Sequence, residues 1–240
     1  MPTPPRSRRL RDPAHTIIGD ASSNTLTFSG VGIRHERQKP GGPTLADVLA
    51  ALQPELRLIA ILRNPVDRMY SAFYYYGHYA KRYGATPDGF HEYATAQLAA
   101  FKQCDAPLRS RHDCAMEGYG HAEQLAKGLY AMFLPDFFAA FPREQLLVLR
   151  SEAYGDDVAG GLRAAMAHVG LAMPDPEVWS RMVEGKRSNS WQGNGGSRGG
   201  DAGDMRDDTR ALLNDFYRPY NEELATLLED DGYLTWHGGA

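Results

Sequence analysis

The chain predicts an α/β fold, a three-layer sandwich built on a central parallel sheet. Two apolar runs, residues 56–62 and 146–149, are rich in Leu, Ile and Val and too short for helices. Neither run alternates with polar residues, as expected of strands covered on both faces. Helical periodicity fills the chain between them, which calls for βαβ crossovers rather than hairpins. Ligands of such sheets sit at the carboxyl ends of the strands.

Taken in order, residues 16–19 read as a short strand and residues 44–52 as a helix with Leu45, Val48, Leu49 and Leu52 on one side. The run 56–62 ends at Arg63, and the chain turns through Asn64 and Pro65 into a helix from Val66 to about Tyr79. Asn64 suits the N-cap, Pro65 suits the first helical position, and Asp67 complements the helix dipole. Val66, Met69, Tyr70 and Phe73 form the inward stripe of that helix, and Tyr74, Tyr75 and Tyr76 read as packing residues. Residues 90–101 make a further helix. Residues 121–141 form a long one, apolar on one side, with Pro135 marking a kink or a restart. After the strand 146–149 comes a helix over 157–169. Residues 190–203, SWQGNGGSRGGDAG, carry no apolar pattern and read as a flexible loop.

Composition narrows the possibilities. Hydrophobic content of 42% and charged content of 23% suit one globular domain with a sizeable core. A net charge of −4 gives no global attraction for nucleic acid, and none for a polyanionic glycan, so any such site must be local. The chain has no apolar run of about eighteen residues, the length a membrane-spanning helix needs. Residues 1–13 are rich in proline and arginine, have no apolar core of a secretory signal, and read as a disordered leader. The cysteines, Cys104 and Cys114, read from counts alone as reduced thiols, and a zinc site with His112 and His121 lacks ligand spacing. No metal is expected, since the eight histidines show no paired ligand spacing. No G-x-x-x-x-G-K-[ST] sequence is present, which disfavours a P-loop kinase.

The junction at residues 61–71 carries the chemistry. An arginine closing a strand opposite a helix N-terminus makes an anion site, and the Ser71 hydroxyl lies two turns along. Residues 56–76, LRLIAILRNPVDRMYSAFYYY, resemble the 3′-phosphate-binding segment of Golgi-type carbohydrate sulfotransferases, which use 3′-phosphoadenosine 5′-phosphosulfate (PAPS). Residues 15–28, 127–152 and 212–228 resemble other segments of that family in the same order, so the likeness runs from about His15 to Trp236.

This resemblance implies a P-loop-NTPase-like sulfotransferase fold. It implies transfer of a sulfuryl group from PAPS to a hydroxyl of a glycosaminoglycan-like carbohydrate, in the chondroitin branch that acts at the 6-position of N-acetylgalactosamine 4-sulfate. A heparan-type enzyme and a non-catalytic nucleotide-binding or interaction module are the alternatives. By match of motif, Arg63 and Ser71 hold the 3′-phosphate. Asp20 stands where the family has a glutamate as catalytic base, one methylene shorter. Lys186, Arg187 and Arg198 fall in the loop that folds over the nucleotide. The resemblance also implies a Cys104–Cys114 disulfide and a Golgi-lumen or secretory setting. Lys81, Arg82, Arg109 and Arg111 are candidates for the sulfate or uronate groups of a glycan. The family's glycine-containing 5′-phosphosulfate loop has no counterpart, since residues 1–14 contain no glycine. Residues 14–240 are therefore expected to form an N-terminally truncated domain lacking the first strand, that loop and the first helix.

Overall fold

Strand β1 (Leu58–Leu62) and strand β2 (Leu146–Arg150) pair in parallel, with Leu58 opposite Leu146 and Leu62 opposite Arg150. The computed structural model describes residues 19, 25–27, 43–102, 122–185 and 203–237. The strand expected over 16–19 lies outside them, Gly19 excepted.

Helix α1 (Leu45–Leu52) leads into β1. Its start is a capping box: the Thr44 side chain accepts the Asp47 N–H at 3.1 Å, and the Asp47 carboxylate accepts the Thr44 N–H at 2.7 Å. The crossover from β1 to β2 begins with α2 (Pro65–Tyr75), α3 (Gly77–Tyr83) and α4 (Pro87–Lys102). The single helix expected from Val66 to Tyr79 is in fact two. Tyr76 leaves helical geometry at φ −86°, ψ 85°, and the chain restarts at Gly77. Consecutive aromatic residues followed by glycine are poor helix formers, which accounts for the break. Val66, Met69, Phe73 and Tyr74 are buried against Phe90 and Tyr93 of α4. Burying a side chain such as Phe73 contributes about 1.5–3 kcal/mol.

The long helix expected over 121–141 is also divided, into α5 (Glu123–Ala126) and α6 (Tyr130–Ala140). Pro135 does not mark the break but lies inside α6. The break falls instead at Gly128. A Cβ there would stand 2.8 Å from the Pro65 side chain and from the Tyr217 ring and hydroxyl. A tertiary contact, not local propensity, fixes this turn.

After β2 come α7 (Ser151–Asp156), α8 (Val158–His168) and α9 (Pro176–Val183), the first and last not foreseen from the sequence. Asp157 caps α8 through the Gly160 N–H at 2.8 Å. Helix α10 (Asp207–Leu228) starts earlier than the segment 212–228 suggested. It packs on α2, α4 and α6 and on the closing 3-10 segment Asp231–His237. Its end is a left-handed cap at Glu229, φ 54°.

The sheet is covered less evenly than expected. Leu58, Ala60, Leu62 and Leu146 pack into a core with Ala46, Leu134, Leu224 and Trp236. On the other face of β1, Ile59 and Ile61 remain 40% and 55% exposed. Helices α7 and α8 contact β2, but the structure corrects the expectation that β1 is buried on both sides.

Candidate active site

Arg63 is the first residue beyond β1, and the turn that carries it is fixed by three distant parts of the chain. The Tyr130 hydroxyl donates to the Arg63 carbonyl at 2.9 Å. The Asn64 N–H donates to Glu152 Oε1 at 2.9 Å, and Asn64 Nδ2 donates to the Trp236 carbonyl at 3.0 Å. The Asn64 side-chain oxygen accepts the Val66 N–H at 3.0 Å and so caps α2. Each such bond contributes about 0.5–1.5 kcal/mol net, and together they leave the turn little freedom.

The Tyr130 phenol is held protonated, above the usual tyrosine range. Burial is the main cause, opposed by the nearby Arg68 charge. A protonated phenol is the form that can donate to the Arg63 carbonyl.

The Arg63 side chain behaves oppositely to its backbone. It is exposed, and its guanidinium makes no hydrogen bond or ion pair among the described residues. Neighbouring arginines are committed elsewhere. Arg210 pairs with Asp67 at 2.9 Å, and Arg150 pairs with Asp230 at 3.2 Å. Arg68 holds the Gln124 side chain at 3.1 Å and the Gln124 carbonyl.

Ser71 is also exposed, seven residues after Asn64 on α2. That spacing puts it on the same side of the helix, about 10 Å along the axis. No hydrogen bond joins Ser71 to Arg63 among the described residues. Both side chains face solvent.

A cleft of about 270 Å³ runs beside β1, bordered by Leu26, the strand itself, Arg68, Lys127 and Tyr130. Lys127 is buried there and pairs with Glu123 at 2.6 Å. Arg68 Nε is buried without a hydrogen-bond partner among the described residues. Among the described residues, no group of three His, Cys, Asp or Glu side chains could hold a metal ion. No helix among them is long and apolar enough to cross a membrane.

The other residues singled out in the sequence fare differently. Lys81 and Arg82 are exposed on α3. Asp20, Cys104, Cys114, Lys186, Arg187 and Arg198 lie outside the described residues, as do Arg109, Arg111 and the leader 1–13. Sequence reasoning did not single out Tyr130, Glu152 or Trp236, which hold the turn. One signal pointed to Glu152: it stands just past the carboxyl end of β2, where ligands of parallel sheets collect.

Carbohydrate sulfotransferase 15 of Homo sapiens is 30% identical over 222 residues, which is 90% of this chain and 38% of that protein. Bifunctional heparan sulfate N-deacetylase/N-sulfotransferase 1 of Mus musculus is 29% identical, covering 78% of this chain and 21% of its own length. This chain thus spans less than two fifths of the length of these curated relatives. Among solved structures, a sulfotransferase from Alicyclobacillus acidocaldarius matches 79% of this chain and 61% of its own, with 20% identity and a TM-score of 0.45. No family model matches.

Proposed function

The chain belongs to the carbohydrate sulfotransferase family over the stretch it shares with those relatives, and we propose that it moves a sulfuryl group from PAPS to a hydroxyl of a glycosaminoglycan-like carbohydrate. The observation that supports this reading is Arg63, whose backbone is held by Tyr130 and by the Glu152–Asn64 bond and whose exposed guanidinium has no partner among the described residues. A planar guanidinium grips a phosphate through two parallel N–H bonds, and its rigid fork loses less entropy per bond than a flexible ammonium.

In this reading Arg63 takes the 3′-phosphate of the donor and the Ser71 hydroxyl adds a further bond. Asp20 accepts the proton of the acceptor hydroxyl as its oxygen attacks sulfur in line and the bond from sulfur to the leaving phosphate breaks. Lys186, Arg187 and Arg198 neutralise the charge left on the nucleotide. Residues 14–240 act as the sulfotransferase unit. The acceptor is of the chondroitin type, at the 6-position of N-acetylgalactosamine 4-sulfate. The setting is the secretory pathway, the Golgi lumen, where a Cys104–Cys114 disulfide is stable.

Two measurements test this. Adenosine 3′,5′-bisphosphate at 100 times its Kd should add about 2.7 kcal/mol of stability, or roughly 5–10 °C in Tm. Arg63→Ala should abolish that shift, and no shift in the unsubstituted chain defeats the reading. Transfer of labelled sulfate from PAPS to desulfated chondroitin and desulfated heparan then separates the acceptor classes. Binding without turnover would identify a nucleotide-binding module instead.

A further inference from the structure

We infer that the exposed face running from Ser71 on α2 across α3 is a docking strip for an acidic glycan, beside the donor site. This rests on the sulfotransferase reading and adds to it the place where the acceptor chain lies.

Tyr75 stands four residues after Ser71, on the same face of α2, and is 58% exposed; Tyr76 is 36% exposed. Their rings meet edge to face at 5.1 Å, and the Tyr76 ring lies 6.1 Å from the His78 ring. His78, Lys81 and Arg82 follow at i, i+3 and i+4 and are all exposed, so they share one face of α3. The groups thus form a continuous band of rings followed by cations.

The local charge is opposite to that of the whole chain. Residues 69–87 contain Lys81 and Arg82 and no carboxylate, in a chain of net charge −4. The acids on either side are already neutralised. Asp67 pairs with Arg210 at 2.9 Å and Asp88 with Arg206 at 2.6 Å. Lys81 and Arg82 make no ion pair among the described residues. Exposed tyrosine rings offer flat apolar faces with a polar tip, suited to the C–H face of a pyranose. Lysine and arginine beside them suit sulfate esters or uronate carboxylates. Two cations are few for a nucleic-acid groove, which favours the glycan.

The test titrates the full chain with chondroitin 4-sulfate oligosaccharide, unsulfated chondroitin, neutral dextran and oligothymidylate, with adenosine 3′,5′-bisphosphate measured in parallel. Tyr75→Ala with Tyr76→Ala, and Lys81→Gln with Arg82→Gln, should each weaken chondroitin 4-sulfate about tenfold. Bisphosphate affinity should stay unchanged, and only the second pair should flatten the salt dependence. If the lysine–arginine variant loses only the sulfated chain, the anchor is a sulfate ester; if it loses both acidic chains, the anchor is a uronate. Should the alanine pair melt early, Tyr75→Phe with Tyr76→Phe keeps the ring faces and must bind normally. Unchanged glycan affinity in both pairs overturns the strip. So does absence of binding to either acidic glycan, or tighter binding of oligothymidylate. If the unsubstituted chain binds glycan but not bisphosphate, and the variants lose glycan, the strip stands and the donor reading falls.

Discussion

The Glu152 carboxylate accepts the Asn64 backbone N–H at 2.9 Å and so ties together the carboxyl ends of β1 and β2. Its second oxygen is buried without a hydrogen-bond partner among the described residues. Among the described residues the carboxylate thus serves the turn and no side chain. Glu152→Ala should leave the Asn64 N–H unsatisfied and cost about 1–3 kcal/mol. Thermal melts would show the loss, and a donor titration would show weaker binding even though Arg63 is intact. Glu152→Gln keeps an acceptor oxygen and should retain most of both.

Arg63→Lys is a sharper probe than alanine. The charge is kept but the two-pronged geometry is lost, so affinity for adenosine 3′,5′-bisphosphate should fall about tenfold. Because the side chain is exposed and unpaired among the described residues, Tm without ligand should not move by more than about 1–2 °C. A large fall in Tm would mean that the guanidinium braces the fold instead of serving a ligand.

Gly128→Ala probes the break between α5 and α6. Its methyl would meet the Pro65 ring and the Tyr217 ring at 2.8 Å, and neither group can swing away freely. The expected cost is about 1–3 kcal/mol, read by denaturant unfolding. An unchanged midpoint would contradict the close approach of α2, α10 and this turn.

The acid response should report the ion pair at the start of α10. Arg206 bonds both Asp88 and Asp208, and it holds the Asp208 carboxyl down to about 2. An unfolded aspartate titrates at about 3.9, so the folded value is the depressed one. The contribution is then fully present above the unfolded value and is lost as pH falls from about 4 through 2. Carboxyl NMR should show Asp208 titrating at the bottom of that window, and Asp208→Asn should flatten stability across it.

The features that proved readable from the sequence were local ones. Both strands, the Asn64 cap and the Pro65 start follow from residue types a few positions apart, and each appears within a residue or two of its expected place. What was not readable depended on distant partners. The break at Gly128 is set by Pro65 and Tyr217, and the exposure of Ile59 and Ile61 shows that the two faces of β1 are not covered alike. The site divides in the same way. Arg63 and Ser71 are proposed as ligand groups on a short motif alone, whereas Tyr130, Glu152 and Trp236 reach the turn only through folding.

One bond has practical weight for anyone handling this protein. The amide of Asn64 is anchored by the main chain at Trp236, 172 positions downstream. Shortened versions that stop before this tryptophan would keep every residue expected to touch the donor and still lose a strut of the turn that aims Arg63. Their inactivity would then be a fault of scaffolding rather than of chemistry.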